Sequence, residues 1–400
     1  MQLLIKNGLV LQINGTFLKG HIVIDHGKIA ALLYDELPPS GEALYANIPH
    51  IDADGFHISP GLIDTHVHGG NTYSFSFANK GTEWKKMEER LSSAGVTSIL
   101  ATGTSLSPDD TLSFIDRVAA LVEKNDSSQV EILGIYMEGP YINKNKRGAH
   151  REENIRPACK DEVRKILERA GGLVRVWALA PEIEENMALV ETLTAAGISV
   201  SFAHTDAGYD TAMAAFSAGA NRVTHTFNAM PAISHRYKGI ITAAWQHGAF
   251  MELIADGHHV SPTIARMFLT ASDPEKIVLV SDNNELAGLP DGTYIQGDRK
   301  LIVAGGQMKT ESGSLAGSIA CLNKCALNLT RWGYSAGLAL KTVTANPACS
   351  AGAFKRKGSI ACGKDADIVI LDGQFDVMMT IKAGRIVYRS ELFPGAVRGG

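Results

Sequence analysis

Eight short apolar runs recur through the middle of the chain: GLIDTHVH (61–68), GVTSILAT (95–102), VEILGIYMEG (130–139), VRVWALAPE (174–182), GISVSFAHTD (197–206), NRVTHTFNAM (221–230), FMELIADGHH (250–259) and KIVLVSDNN (276–284). Between them lie stretches of helical character such as EWKKMEERLSSA, DEVRKILERAGG, NMALVETLTAAG and DTAMAAFSAGA. Strands buried on both faces read as continuous apolar runs, and strands alternating with helices imply parallel βα units. Eight such units close a barrel. The two ends of the chain have another pattern. Residues 1–58, and the stretch from about Gly352 onward, carry Val, Ile and Leu between Asn-Gly, His-Gly, Asp-Gly and similar turns, without helical period. The pattern predicts an α/β protein, a (β/α)8 TIM-like barrel over 59–352. The segments 1–58 and 353–400 are expected to pair into one small β-sandwich domain.

The polar residues that interrupt these runs fall at one place in each. The first run ends in His66 and His68, the third in Glu138, the fifth in His204, the sixth in His225, the seventh in His258-His259 and the eighth in Asp282. Barrel active sites lie at the C-terminal ends of the strands, so the fold would gather these residues at one mouth. A single histidine there is more often a satisfied polar group than a ligand. The set together is the donor chemistry of a divalent ion such as zinc. His66 and His68 are two apart, so on a strand they face the same way. A divalent ion acidifies water and polarises a carbonyl. Asp282, although Asp in such a segment can be a simple turn or helix cap, is the candidate carboxylate to move the proton. The polar loop GPYINKNKRGAHREENIRP (139–157) is long enough to form a lid or a substrate wall.

Composition narrows the partners. The chain has 400 residues, 45% of them hydrophobic, with a formal net charge of −4, so neither nucleic acid nor an anionic membrane is the expected partner. No apolar run approaches the roughly 20 residues that cross a bilayer, and the first residues alternate like a strand rather than a signal peptide. The five cysteines, Cys159, Cys321, Cys325, Cys349 and Cys362, match no zinc or redox spacing and read as reduced thiols of a cytoplasmic protein.

The segments PGLIDTHVHGG, MEGP, SFAHTDA, VTHTFNAM, ADGHHV and LVSD follow in this order, and together they resemble the amidohydrolase superfamily. Within it they are similar to the deacetylases of N-acetylated hexosamine 6-phosphates, over nearly the whole chain. The resemblance implies hydrolysis of the acetamido group of N-acetylglucosamine 6-phosphate, with the N-acetylgalactosamine epimer or another amide as alternatives. It implies one or two divalent metal ions, zinc foremost, iron or another transition metal otherwise. Glu138, His204 and His225 would hold the main metal, His66 and His68 a second bridged by Glu138, and Asp282 would be the acid and base. Ala149 and His150, Asn228 and Ala229, Arg236, His259, and Leu315, Ala316 and Gly317 would contact the substrate. His150 would lie near the scissile carbonyl and Arg236 at the phosphate, and a homodimer is implied. SDNNELAG departs from the family's usual TDAxxAAG, and PAISHRYKG also differs, which leaves the sugar open more than the reaction. The rivals are another amidohydrolase, such as a cyclic amidase or an N-acyl amino acid hydrolase, and a non-enzymatic sugar-phosphate sensor.

Overall fold

The computed structural model describes residues 2–34, 45, 48–77, 83–124, 130–296 and 299–394. The central sheet has eight parallel strands in chain order: Leu62–Val67, Val96–Gly103, Glu131–Glu138, Val174–Leu179, Ser199–Phe202, Arg222–Val223, Phe250–Leu253 and Ile277–Leu279. The last strand returns to the first through backbone bonds at the rim. Asp282 N–H donates to the His66 carbonyl (2.9 Å), and His68 N–H to the Asn283 carbonyl (2.7 Å). Lower down, Val343 accepts from Ile63 and Thr342 from Leu279, both at 2.9 Å, so this stretch fills the seam at the floor. The result is the expected α/β barrel.

The helices show why the sequence alternates. In Pro108–Glu123 the Ser107 hydroxyl accepts from the Asp110 N–H, and Pro108, Asp109 and Asp110 suit the first turn. Thr111, Phe114, Ile115 and Val118 then recur at helical spacing and are buried. Burying each of the larger ones against the sheet contributes about 1.5–3 kcal/mol. Phe114→Ala would open a cavity beneath Gly103, whose α-carbon faces that ring too closely to carry a side chain.

The strands end sooner than the apolar runs do. The run 221–230 contributes only Arg222–Val223, and 197–206 only Ser199–Phe202. The chain leaves the sheet because the residues beyond turn sharply: His204, His225 and Asp282 have φ of 47°, 28° and 49°. Such angles are uncommon outside glycine. They sit where side chains must be aimed inward from a strand end.

A second sheet gathers both termini. Its path runs Arg385–Arg389, Val377–Lys382, Ile368–Leu371, His57–Pro60, Leu3–Leu11, Phe17–Asp25 and Lys28–Tyr34, with His50–Asp52 also paired to Leu3–Leu11. The sheet curls until its end hairpins meet. Ala366 N–H donates to Gly27 (2.9 Å), while its carbonyl accepts from Gly384 (3.0 Å). Ile5, Ile22, Ile58, Ile370 and Met379 belong to the core inside this curl. A third sheet, Gly292–Gln296, Arg299–Ala304 and Gln307–Thr310, follows the last barrel strand and was not anticipated. Its alternating residues and its Gly305-Gly306 turn were the available signal. Among the described residues no helix is long and apolar enough to cross a membrane.

Candidate active site

The strand ends bring Glu138, His204 and His225 together. Glu138 Oε1 lies 3.2 Å from His204 Nε2 and 3.0 Å from His225 Nε2, and the two nitrogens are 3.2 Å apart. The other carboxylate oxygen of Glu138 is 3.1 Å from His68 Nε2. His68 Nε2 is 3.2 Å from His66 Nε2, and Asp282 Oδ1 is 3.3 Å from His68 Nε2. Glu138 thus stands between two groups of donors. Gly148 closes over one of them: with φ of 54° it lies so near His204 that a Cβ would sit 3.0 Å from the ring.

Hydrogen bonding fixes which ring nitrogens carry protons. His204 Nδ1 is 2.7 Å from the Lys146 carbonyl, and a carbonyl only accepts, so Nδ1 holds the hydrogen. His66 Nδ1 likewise faces the Glu252 carboxylate at 3.1 Å. In the neutral rings Nε2 is then a bare lone pair, and it points at other lone pairs. Double protonation would set N–H against N–H between His66 and His68. One shared proton can relieve one such contact, but not the triangle of Glu138, His204 and His225. A cation among the donors relieves all of them. Zinc–ligand bonds of 2.0–2.1 Å place neighbouring tetrahedral donors about 3.3–3.4 Å apart, close to the separations seen here. The residues therefore fit one or two divalent ions.

The charges agree. Burial pushes Glu138 up, but His66, His150 and His204 outweigh it and hold the carboxyl well below its ordinary range. Burial likewise raises Asp282, and His68 and His66 reverse it. Burial lowers His68, but bonds to Asp282 and Glu138 carry it up to about 9. These carboxylates attract positive charge to the rim.

His150 has the opposite tautomer. Its Nδ1 accepts from the Ser105 backbone N–H (3.1 Å), so Nε2 carries the hydrogen, aimed at Glu138 Oε2 at 3.3 Å. Burial, then His204, pushes its pKa down to about 4, which leaves it neutral near pH 7. With Nε2 protonated it offers the cavity a donor rather than a lone pair, although Glu138, His150 and His204 lie within ligand distance of each other.

A cavity of about 250 Å³ opens above the cluster. Ala149, Asn228, Ala229, His259, Leu315 and Gly317 line it, as do His150, Asp282 and Ala316. The loop 139–157 forms one wall. Asp256 steers His259, its Oδ2 accepting from Nδ1 at 2.7 Å. Gly317, with φ of 78°, passes so near the Asp282 carbonyl that a Cβ would lie 2.9 Å away, and Ser318 N–H donates to that carbonyl (2.9 Å). His258 points outward, to Gln307. Arg236 is exposed beside His235, and no wall of the cavity includes it.

Several residues at the site escaped the sequence reading. Gln296 and Arg299, from the unanticipated sheet, line the cavity, beside Asn284 and Glu285 of the SDNNELAG segment already singled out. Asn284 donates to the Ala316 carbonyl (3.3 Å), so the unusual SDNN segment holds the 315–317 loop. Glu252 and Arg222, fully buried inside the barrel, lie behind His66.

Comparison with known proteins agrees with this geometry. Residues 57–387 match the Amidohydrolase family. The N-acetylglucosamine-6-phosphate deacetylase of Bacillus subtilis (strain 168) is 34% identical over 396 residues, covering 97% of this chain and 98% of its own. The N-acetylgalactosamine-6-phosphate deacetylase of Escherichia coli O157:H7 is 32% identical over 338 residues, 84% of this chain and 89% of its own. A mutant N-acetyl-D-glucosamine-6-phosphate deacetylase of Mycobacterium smegmatis, solved with N-acetyl-D-glucosamine-6-phosphate, superposes with a TM-score of 0.86 at 29% identity, covering 97% of this chain and 99% of its own. With histidines and a bridging carboxylate gathered at the rim of a parallel barrel, and a match spanning most of its length, this chain belongs to the amidohydrolase family.

Proposed function

We propose that the protein hydrolyses N-acetylglucosamine 6-phosphate to glucosamine 6-phosphate and acetate, a step of amino sugar catabolism. The observation that carries this reading is the pairing of an ionised Asp282 with a neutral, Nε2-protonated His150 at one cavity beside a metal-binding cluster. Glu138, His204 and His225, together with His66 and His68, would hold one or two divalent ions, which when bound would supply polarisation of the amide carbonyl and of water, with zinc the best match to the donors. Asp282 takes a proton from the attacking water. His150 donates its Nε2–H to the carbonyl oxygen as negative charge develops there. Asp282 then protonates the departing amine, completing acid and base roles in one group.

The sugar lies against Ala149, His259 and the loop of Leu315, Ala316 and Gly317, with the phosphate near Asn228 and Ala229. Arg236 reaches that phosphate from a second copy of the chain, since within one chain it lies outside the cavity. Exposed Ile233 and Tyr237 beside it, 47% and 75% accessible, support a homodimer through this loop. Arg is suited to the role because its planar fork binds phosphate through two hydrogen bonds. We take 59–352 as the catalytic unit, with 1–58 and 353–400 as the β unit. The exposed thiols of Cys159, Cys349 and Cys362 favour a reducing, cytoplasmic compartment.

Acetate release from N-acetylated glucosamine and galactosamine, each with and without the 6-phosphate, tests the reading. Release is expected fastest from N-acetylglucosamine 6-phosphate and to fall at least 10-fold in Arg236→Ala. Equal rates with and without phosphate point to another amidohydrolase. Bound metal with no release from any of the four sugars points to a sensor.

A further inference from the structure

The histidines at the rim do not share one kind of support. His204 gives its Nδ1–H to a loop carbonyl, that of Lys146. His225 Nδ1 is buried with no hydrogen-bond partner among the described residues. His66 alone of these three gives its Nδ1–H to a carboxylate, Glu252 Oε2 at 3.1 Å. Glu252 stands on the seventh barrel strand, and its other oxygen accepts from Arg222 Nη1 on the sixth at 3.0 Å. Arg222 Nη2 in turn donates to the Ser350 carbonyl (2.7 Å), at the end of the helix Ala345–Ser350. Both charged residues have no exposure to solvent.

A buried ion pair is a poor way to stabilise a barrel core, because the desolvation of two charges offsets their attraction. An apolar pair of similar volume would pack as well or better. What the pair does locally is clear from its geometry. A carboxylate on Nδ1–H locks the tautomer, fixes the ring plane and makes Nε2 a stronger donor. Burial raises the Glu252 carboxyl, but His66 and then Arg222 reverse that, and Arg222 holds its other oxygen in the dry interior. Nε2 of His66 lies nearest to His68 Nε2, at 3.2 Å, with Asp282 Oδ1 at 3.5 Å and Glu138 Oε1 at 3.7 Å, so it stands with the His68 group of donors.

We propose that Glu252, backed by Arg222, is the positioning group for His66, and that this pair governs binding of the second metal ion. The inference rests on the metal-dependent reading above and assigns a function to two residues that touch neither substrate nor metal.

The test is a titration of the metal-stripped full-length chain with Zn2+, followed by calorimetry and elemental analysis and paired with thermal melts. It uses wild type, Glu252→Gln, and the double variant Glu252→Leu/Arg222→Met, which leaves no unpaired charge in the core. Wild type is expected to bind two ions per chain. Both variants should retain one at unchanged affinity and bind the other about 10–100-fold more weakly. The double variant should melt close to wild type, which separates loss of positioning from loss of the fold. If the double variant binds two ions with wild-type affinities, the positioning role is overturned. Loss of both ions in step with a lowered melting temperature also overturns it, because it shows a purely structural pair. A wild type that binds no ion refutes the metal reading itself, a result distinct from either.

Discussion

One barrel strand carries a glutamate at each end, and the two ends treat it in opposite ways. At the floor, Glu131 meets cations of the chain itself: Lys357 at 2.7 Å, Lys382 at 3.1 Å and Arg356 at 2.5 Å. Asp365 and Asp367 join it, paired with Lys28, Arg356, Lys357 and Lys382. At the rim, Glu138 meets imidazole nitrogens: that of His204 carries its proton on the far side of the ring, and that of His150 aims its proton at the carboxylate. Among the described residues the floor gathers one set of three groups close enough to hold an ion, and the rim two such sets. The floor answers its carboxylates with lysine and arginine, which stay charged, and the rim answers with imidazoles, which can give up their protons to an incoming ion. The floor network ties the C-terminal segment to the barrel, and the rim is left to recruit charge from outside. Acidic clustering therefore does not define a metal site; what defines it is whether the donors face positive groups or one another.

The largest effect expected from breaking this contrast is at the rim. Asp282→Asn keeps the shape of the side chain but cannot take the proton, and should lower kcat roughly 10^3-fold. Metal content, measured by elemental analysis, should stay at the wild-type level. A variant with more than a tenth of normal turnover would show that Asp282 is not the proton carrier.

At the floor the corresponding substitution should cost stability instead. Lys357 is almost wholly buried, and Lys357→Met leaves Glu131, Asp365 and Asp367 short of a partner. Removing one member of a buried charge network costs about 3 kcal/mol or more, although the remaining Lys382 and Arg356 soften the loss. Urea unfolding should show this drop, while metal content and kcat of the folded enzyme stay near wild type. A changed metal content would mean that the two ends are coupled.

Acid should separate the ends next. Burial raises the Glu131 carboxyl, but Lys382 and Lys357 outweigh it and hold it at about 2, below its ordinary 4.5. A depressed carboxylate stabilises the fold above its unfolded pKa, and that contribution disappears as pH falls through the window from about 4.5 toward 2. Metal-free wild type should lose on the order of 2 kcal/mol of urea stability across this window from the floor network. Lys357→Met should show a shallower dependence there. Parallel curves for the two proteins would remove Glu131 from the account.

Much of this was legible in the sequence because the barrel repeats its punctuation: an apolar run, then a polar residue at the rim. The i, i+2 spacing of His66 and His68 directed both rings at one position, and their Nε2 atoms lie 3.2 Å apart. The distinction between Glu131 and Glu138 was not legible, since both are acidic residues in the same apolar run and their partners are distant in the chain. Glu252, inside FMELIADGHH, was not singled out by the sequence, since nothing in that run marks it as inward. Its inward role depends on His66, 186 positions away. Arg236 shows the converse limit. A matching segment fixed its identity as a candidate, but its place relative to the cavity depends on the path of a loop, and within one chain that path leads to solvent.

Asp256 sharpens the comparison at its smallest scale, because it is a rim carboxylate of the floor type. Its oxygens are taken up by protein donors: Oδ2 by His259 Nδ1 at 2.7 Å, and Oδ1 by the backbone N–H groups of His258 and His259 at 2.8 and 2.9 Å. Burial raises its pKa, but the His259 bond reverses that and holds the carboxyl below its ordinary value. With about three of its four acceptor sites occupied it has little to offer an ion, and it holds the His259 ring by its Nδ1–H. Asp256→Asn should therefore leave metal binding untouched and reduce kcat/KM about 10-fold, or roughly 1.4 kcal/mol, through a loosened sugar contact. Most of that change should lie in KM, because on the proposed function His259 would contact the sugar rather than the reacting bond. A loss of metal in this variant would place Asp256 with the ligands and break the rule that occupied lone pairs mark a structural carboxylate.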